Sequence, residues 1–128
     1  MEDHIPYEMI HDRPPNFIVE YELDLEETLE GAIPYQGMRV DFLYEGDDPK
    51  VDGVHMIWPE ILDEKGHVLL DSTPGILNKK GYANMWILNE ERFEYHRNRL
   101  KIGTKGIWWR GGRVAYVKVI QICCLSKT

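Results

Sequence analysis

The sequence predicts an all-β fold, a small closed β-barrel of about six strands of antiparallel type. Three observations carry that expectation. Apolar Phe17, Val19, Tyr21 and Leu23 alternate with Ile18, Glu20 and Glu22, the period of two of a strand with one wet face. The stretch from Gly103 to Ile122 holds two runs rich in β-branched and aromatic residues, Gly106 to Arg110 and Arg113 to Ile122, on either side of Gly111 and Gly112. A two-residue turn with positive φ at both positions suits that glycine pair. No long helical period, internal repeat or low-complexity tract competes with these signals, and closing a sheet removes edges that would invite aggregation.

Taken in order, residues 1–16 contain Pro6, Pro14 and Pro15 among scattered charges, which predicts an extended N-terminal arm, either laid on the domain or mobile. Residues 17–128 then form one β-barrel domain. Its first strand is Phe17 to Leu23. Asp24 to Pro34 is acidic and contains Gly31, so it reads as a loop, with a helical turn open to LEETLE. A second strand covers Gln36 to Tyr44, with Val40, Phe42 and Tyr44 on one side and Arg39 and Asp41 on the other, and GDDP ends it. A third is expected over Gly53 to Trp58. Pro59 to Gly81 reads as mostly irregular, with a short strand open to His67 to Leu70. Tyr82 to Leu88 is a further strand. Asn89 to Arg99 is charged, either a helical turn or a long hairpin loop, and the closing hairpin follows.

The 128 residues fit one domain, and 43% hydrophobic content is enough for a core. A net charge of −7 disfavours general attraction to nucleic acid or anionic membrane, because both associations depend on Lys and Arg. No apolar run approaches a spanning length, and MEDHIPYEMIHD lacks the basic start and apolar segment of a signal peptide; a cytoplasmic location is expected. The two cysteines, Cys123 and Cys124, are sequence neighbours that point to opposite faces of a strand and define no disulfide framework or metal cluster.

Several segments, read together, resemble the third, C-terminal β-barrel domain of elongation factor Tu. Phe17, Glu20 and Tyr21 stand where that family opens with F-x-x-E-V; Glu30, Gly31 and Pro34 resemble its E-G-G-R-x-x-P loop; Gly37, Arg39 and Phe42 resemble G-Y-R-P-Q-F. Arg110, Gly111, Gly112 and Arg113 resemble its R-E-G-G-R hairpin, and Val117, Val119 and Ile122 continue like its last strand. The likeness spans roughly residues 13–122. It departs at Met38, Val40, Tyr116 and Lys118, and no acidic residue lies between Arg110 and Gly111. The resemblance implies the translation-factor barrel fold, and either RNA contact through Arg39, Arg110, Gly111, Gly112 and Arg113 or docking to another protein.

Catalytic signals are missing from the sequence. There is no G-x-x-x-x-G-K-[ST] loop, and Asn78-Lys79-Lys80-Gly81 carries glycine where a guanine-reading motif needs an acid. His4, His11, His55, His67 and His96 lack zinc-type spacing and read as surface histidines. Asp47, Asp48 and Asp52 lack the EF-hand pattern and read as a solvated turn. Neither Ser72 nor Ser126 sits in a nucleophile elbow. The chain is therefore expected not to be an enzyme and to need no cofactor or metal.

Two candidate surfaces remain. Arg92, Arg97, Arg99, Lys101 and Lys105, interleaved with Tyr95 and His96, form a basic segment to which Arg110, Arg113 and Lys118 could be neighbours; its bland reading is a solvated loop balancing Glu90, Glu91 and Glu94. Of adjacent Trp108 and Trp109, one must face the interior and the other outward, where it anchors a partner or is covered by the arm. The expected function is a non-catalytic binding module that recognises a protein or RNA partner through Arg39, Arg97, Arg99, Trp109, Arg110, Gly111, Gly112 and Arg113. The acidic balance favours protein over RNA, without membrane, and self-association is compatible with it. The alternative is a small immunity-type inhibitor that masks a basic toxin or nuclease with the acidic strip Glu20, Glu22, Asp24, Glu26 and Glu27.

Overall fold

The computed structural model describes residues 3–24 and 34–125. Most of the expected acidic loop, with Glu26, Glu27, Glu30 and Gly31, lies outside the described residues, as does Ser126. Six antiparallel strands form one curled sheet: β1 (Phe17–Leu23), β2 (Asp41–Tyr44), β3 (Ile57–Ile61), β4 (Lys80–Ile87), β5 (Lys105–Trp109) and β6 (Arg113–Ile122), in the order β2-β5-β6-β1-β4-β3. Two short helices accompany them, α1 (Tyr7–His11) before β1 and α2 (Phe93–Arg99) between β4 and β5, the latter entered through a 3-10 turn at Glu90–Arg92.

The alternation in β1 is realised residue by residue, with Phe17, Val19, Tyr21 and Leu23 buried and the residues between them half-exposed. This central strand pairs with both β4 and β6. Bulges between Ile18 and Val19 and between Trp108 and Trp109 add local twist and curl the sheet. The edge strands β2 and β3 consequently approach each other, and Phe42 and His55 exchange backbone hydrogen bonds of 2.9 and 3.0 Å. That isolated bridge is narrower than a strand ladder. The sheet is thus a half-barrel, where the alternation had suggested continuous closure.

Several boundaries differ from expectation for identifiable reasons. The second strand begins only at Asp41, because Gly37, at φ 86°, turns the chain over Tyr35 to Met38. Met38 and Val40 are buried nonetheless. The third strand is displaced toward the C-terminus, since Gly53 follows the turn at 49–52 with φ 75° and Pro59 is accommodated on an edge strand, where a missing N–H disrupts little. Helix α2 resolves the alternatives for 89–99, seeded where the Asn89 side chain accepts from the Glu91 N–H, and it packs Phe93 into the core. In the closing hairpin only Gly111 has positive φ, and Val114 is the extra residue that places Trp109 opposite Arg113 but Trp108 opposite Ala115.

The arm is not extended: its middle forms α1, and it lies across the outer face of β3 and β4. Trp86 points to that face, yet it is fully buried, because Tyr7, His11 and Arg13 pack on its indole. Beneath the arm, buried Glu60 accepts from His4 Nε2 (2.6 Å), the Tyr7 N–H (2.7 Å) and Trp86 Nε1 (3.3 Å). Buried Asn16 ends the arm, accepting from the Ile87 N–H and donating to the Cys124 carbonyl. The tryptophan that the arm covers is therefore Trp86; Trp108 fills the interior and Trp109 is half-exposed.

Candidate binding surface

On the outer face of β4, β1, β6 and β5, strand register writes the surface chemistry. Glu20 lies opposite Tyr82 on one side and Lys118 on the other; Glu22 lies opposite Lys80 and Tyr116. One strand further, Lys118 faces Lys105 and Tyr116 faces Ile107. These side chains line a shallow groove of about 830 Å³ whose rim includes Glu45 and Asp47. Two glycines make part of its floor, because the inward space at Gly81 is filled by the Tyr21 ring and that at Gly106 by Phe42. Tyr82 and Tyr116, 52% and 49% exposed, stand in the groove as its largest unburied rings.

Much of the charge in the groove is paired, Lys105 and Glu45 being the charged lining residues that enter no ion pair among the described residues. Lys80 pairs with Glu22 at 3.4 Å, Lys118 with Glu20 at 3.1 Å, and Arg113 Nε with Asp24 at 2.6 Å. The Arg113 guanidinium also lies over the Tyr116 ring at 4.6 Å. The two exposed pairs, Lys80–Glu22 and Lys118–Glu20, add little stability, so they can exchange partners when another surface covers them.

At one end of the groove, Arg99 holds Asp47 through both guanidinium nitrogens (2.8 and 3.1 Å), donates to the Tyr95 hydroxyl and covers the Tyr44 ring at 4.0 Å. That hydrogen bond to Arg99 pulls the Asp47 pKa below its ordinary value and raises that of Arg99. Behind it lies a buried cluster that sequence reading placed on the surface. His96 is 1% exposed and His55 7%. They meet edge to face at 4.8 Å, and Nδ1 of His96 is 2.7 Å from the Tyr44 hydroxyl. Burial drives the pKa of His96 down to about 3, lowers that of His55 and raises that of Tyr44. The phenol O–H is the stronger donor of the two, and the tautomer with the ring proton on Nε2 lets Nδ1 of His96 accept from it. A second, smaller recess of about 180 Å³ opens beside this cluster. His4 is likewise enclosed, by Glu60; His11 and His67 are exposed as expected.

The residues anticipated as one basic site are dispersed. Arg113 lines the groove, and Arg99 reaches its rim through Asp47. Arg97 is exposed on α2, and Arg110, Gly111 and Gly112 form the tip of the last hairpin. Arg39 lies elsewhere, stacked at 5.1 Å on Trp58 of β3. Trp109 is half-buried opposite Asp41 of β2, a carboxyl whose pKa burial raises. The curl of the sheet is what separates them, since β3 and β5 lie on opposite sides of its central strands. Lys80, Tyr82, Tyr116 and Lys118 were missed as a set; their alternation along β4 and β6 is visible in sequence, but which strands adjoin is not.

Asp47, Asp48 and Asp52 serve the turn they occupy, with Asp52 accepting from the Asp48 N–H and Asp48 from the Lys50 N–H. Among the described residues no group of three or more His, Cys, Asp or Glu is placed to hold a metal ion, and no helix is long and apolar enough to cross a membrane. Comparison of the chain with protein-family models, curated proteins and solved structures found no match.

Proposed function

We propose that this chain is a non-catalytic recognition module that grips a protein partner in the outer groove. The observation that carries the reading is the pair Tyr82 and Tyr116, about half-exposed on β4 and β6 with Glu20 and Glu22 of β1 between them and charge pairs of both signs around them. Tyrosine supplies broad amphipathic contact for little lost conformational freedom, and charge pairs at hand can be re-partnered across an interface. A phosphate backbone would instead need unneutralised cations, and Lys80, Arg99, Arg113 and Lys118 each already face a carboxylate. The same pairing weighs against a purely acidic capture face, since Glu20, Glu22 and Asp24 are the partners concerned.

The resemblance to the C-terminal domain of elongation factor Tu enters this proposal in coarser form, as an antiparallel half-barrel whose two edges meet, among the described residues, only in the bridge between Phe42 and His55. The test is affinity capture from host lysate by the full chain, with and without nuclease. A Tyr82→Ala, Tyr116→Ala double variant is expected to lose the captured protein, while Arg97→Glu with Arg110→Glu retains it. Loss of capture after nuclease, or an unaffected tyrosine variant, refutes the reading.

A further inference from the structure

The small recess beside α2 is built differently from the groove. Its wall combines apolar Val54, Met56 and fully buried Ile87 with polar His55, Asn89, Arg92 and His96. His55 is more than nine-tenths buried, and its Nε2 has no hydrogen-bond partner. A buried polar atom left unpaired is a standing penalty that a ligand atom can relieve. Arg92 enters no ion pair among the described residues, in contrast to Arg99 and Arg113; its guanidinium carbon lies over the Tyr95 ring at 4.0 Å from the centroid, and it carries five N–H donors for an anionic group.

We propose that this recess binds a small monocarboxylate, with the carboxylate on Arg92 and the Nε2–H of His55 and a short apolar body against Val54, Met56 and Ile87. Size and charge select that class. About 180 Å³ is below the range of drug-sized sites and admits only a few heavy atoms. Burial keeps both histidines neutral at neutral pH, and Arg99 is already committed to Asp47, so Arg92 is the one cation of the wall. One positive charge matches a singly charged head better than a phosphate dianion, and the apolar residues of the wall reward a hydrocarbon body. This site is separate from the groove and does not depend on the protein-binding reading.

The test uses the full chain labelled at its histidine rings, titrated with isobutyrate at constant ionic strength and, in parallel, with isobutyramide and inorganic phosphate. Expected is a saturable shift of the His55 ring resonances with isobutyrate, with much weaker responses to the other two. Arg92→Gln, a change at an exposed residue, should weaken isobutyrate binding about tenfold or more while leaving the fold intact by circular dichroism. Met56→Glu should weaken it independently by opposing the carboxylate charge. Any of three results overturns the proposal: no saturation, equal response to isobutyramide or phosphate, or indifference to Arg92→Gln.

Discussion

The side-chain amide of Gln36 acts as a strand partner for Ile61: the Ile61 N–H donates to Oε1 at 2.8 Å, and Nε2 donates back to the Ile61 carbonyl at 2.9 Å. The same Nε2 reaches the Leu69 carbonyl at 2.7 Å. Gln36 is 2% exposed, so these bonds are made in a dry setting on the edge strand β3. They satisfy backbone groups that an open sheet would otherwise offer to another chain.

Replacing this amide tests that role. Gln36→Leu keeps the volume but leaves the Ile61 N–H and Leu69 carbonyl short of partners, and about 1–3 kcal/mol of stability should be lost in urea denaturation. Sedimentation at raised concentration should show more self-association than wild type. Unchanged stability would mean that water or a shifted backbone replaces the amide readily.

Gly106 tests close approach. A Cβ there would lie 2.6 Å from the Phe42 ring and 2.7 Å from the Leu43 carbonyl oxygen, which is backbone and cannot swing away. Gly106→Ala should lose about 1–3 kcal/mol through this overpacking. At Gly81 the nearest atom is the Tyr21 hydroxyl at 2.8 Å, the end of a side chain, so Gly81→Ala should be the milder change. The two thermal midpoints, measured together, decide it.

The arm is tied by Glu60. Glu60→Ala strips the acceptor from the Tyr7 N–H and Trp86 Nε1, and a loss of about 1–3 kcal/mol is expected, the cost of leaving buried donors without a partner. If this end of the arm is released, limited proteolysis should cut near His4 to His11 and tryptophan emission should move to the red as Trp86 is uncovered. Proteolysis identical to wild type would show that stacking of Tyr7 and Arg13 on Trp86 holds the arm without the carboxylate.

His96 predicts a pH dependence. Its ordinary pKa of 6.5 falls to about 3 in the folded chain because it is buried against His55, Arg92 and Arg99, with Tyr44 and Tyr95 packed on the ring. Above pH 6.5 the ring is neutral whether folded or unfolded, and its contribution is fully present. Below that value the unfolded chain takes up a proton that the folded one refuses, so stability declines from pH 6.5 toward about 3. Asp47 adds a loss only below its ordinary value of 3.8. His96→Gln keeps an acceptor for Tyr44 and should flatten the slope of urea stability between pH 6 and 4; an unchanged slope would assign it elsewhere.

Much of the architecture was legible because it is local. Alternation marks β1 and the long run of β6, and Gly111 marks the turn from β5 into β6, since each depends on side-chain period or on a backbone angle that glycine alone adopts freely. The short β2 was over-read because Met38 and Val40 are buried without belonging to a ladder. The histidines were misread for a similar reason: no spacing reveals that His55 and His96, 41 positions apart, share an enclosed site.

By itself the sequence determined that the chain is built of strands, which faces of β1 and β6 turn inward, and that charge is balanced toward acid. Tertiary structure alone decided that the sheet stops at a half-barrel, that the arm shelters Trp86, and that Glu20 and Glu22 meet Lys118 and Lys80. The reason is physical: period and turn chemistry act over a few residues, whereas strand neighbours, burial of a polar ring and the pairing of charges depend on which distant segments the curled sheet brings into contact.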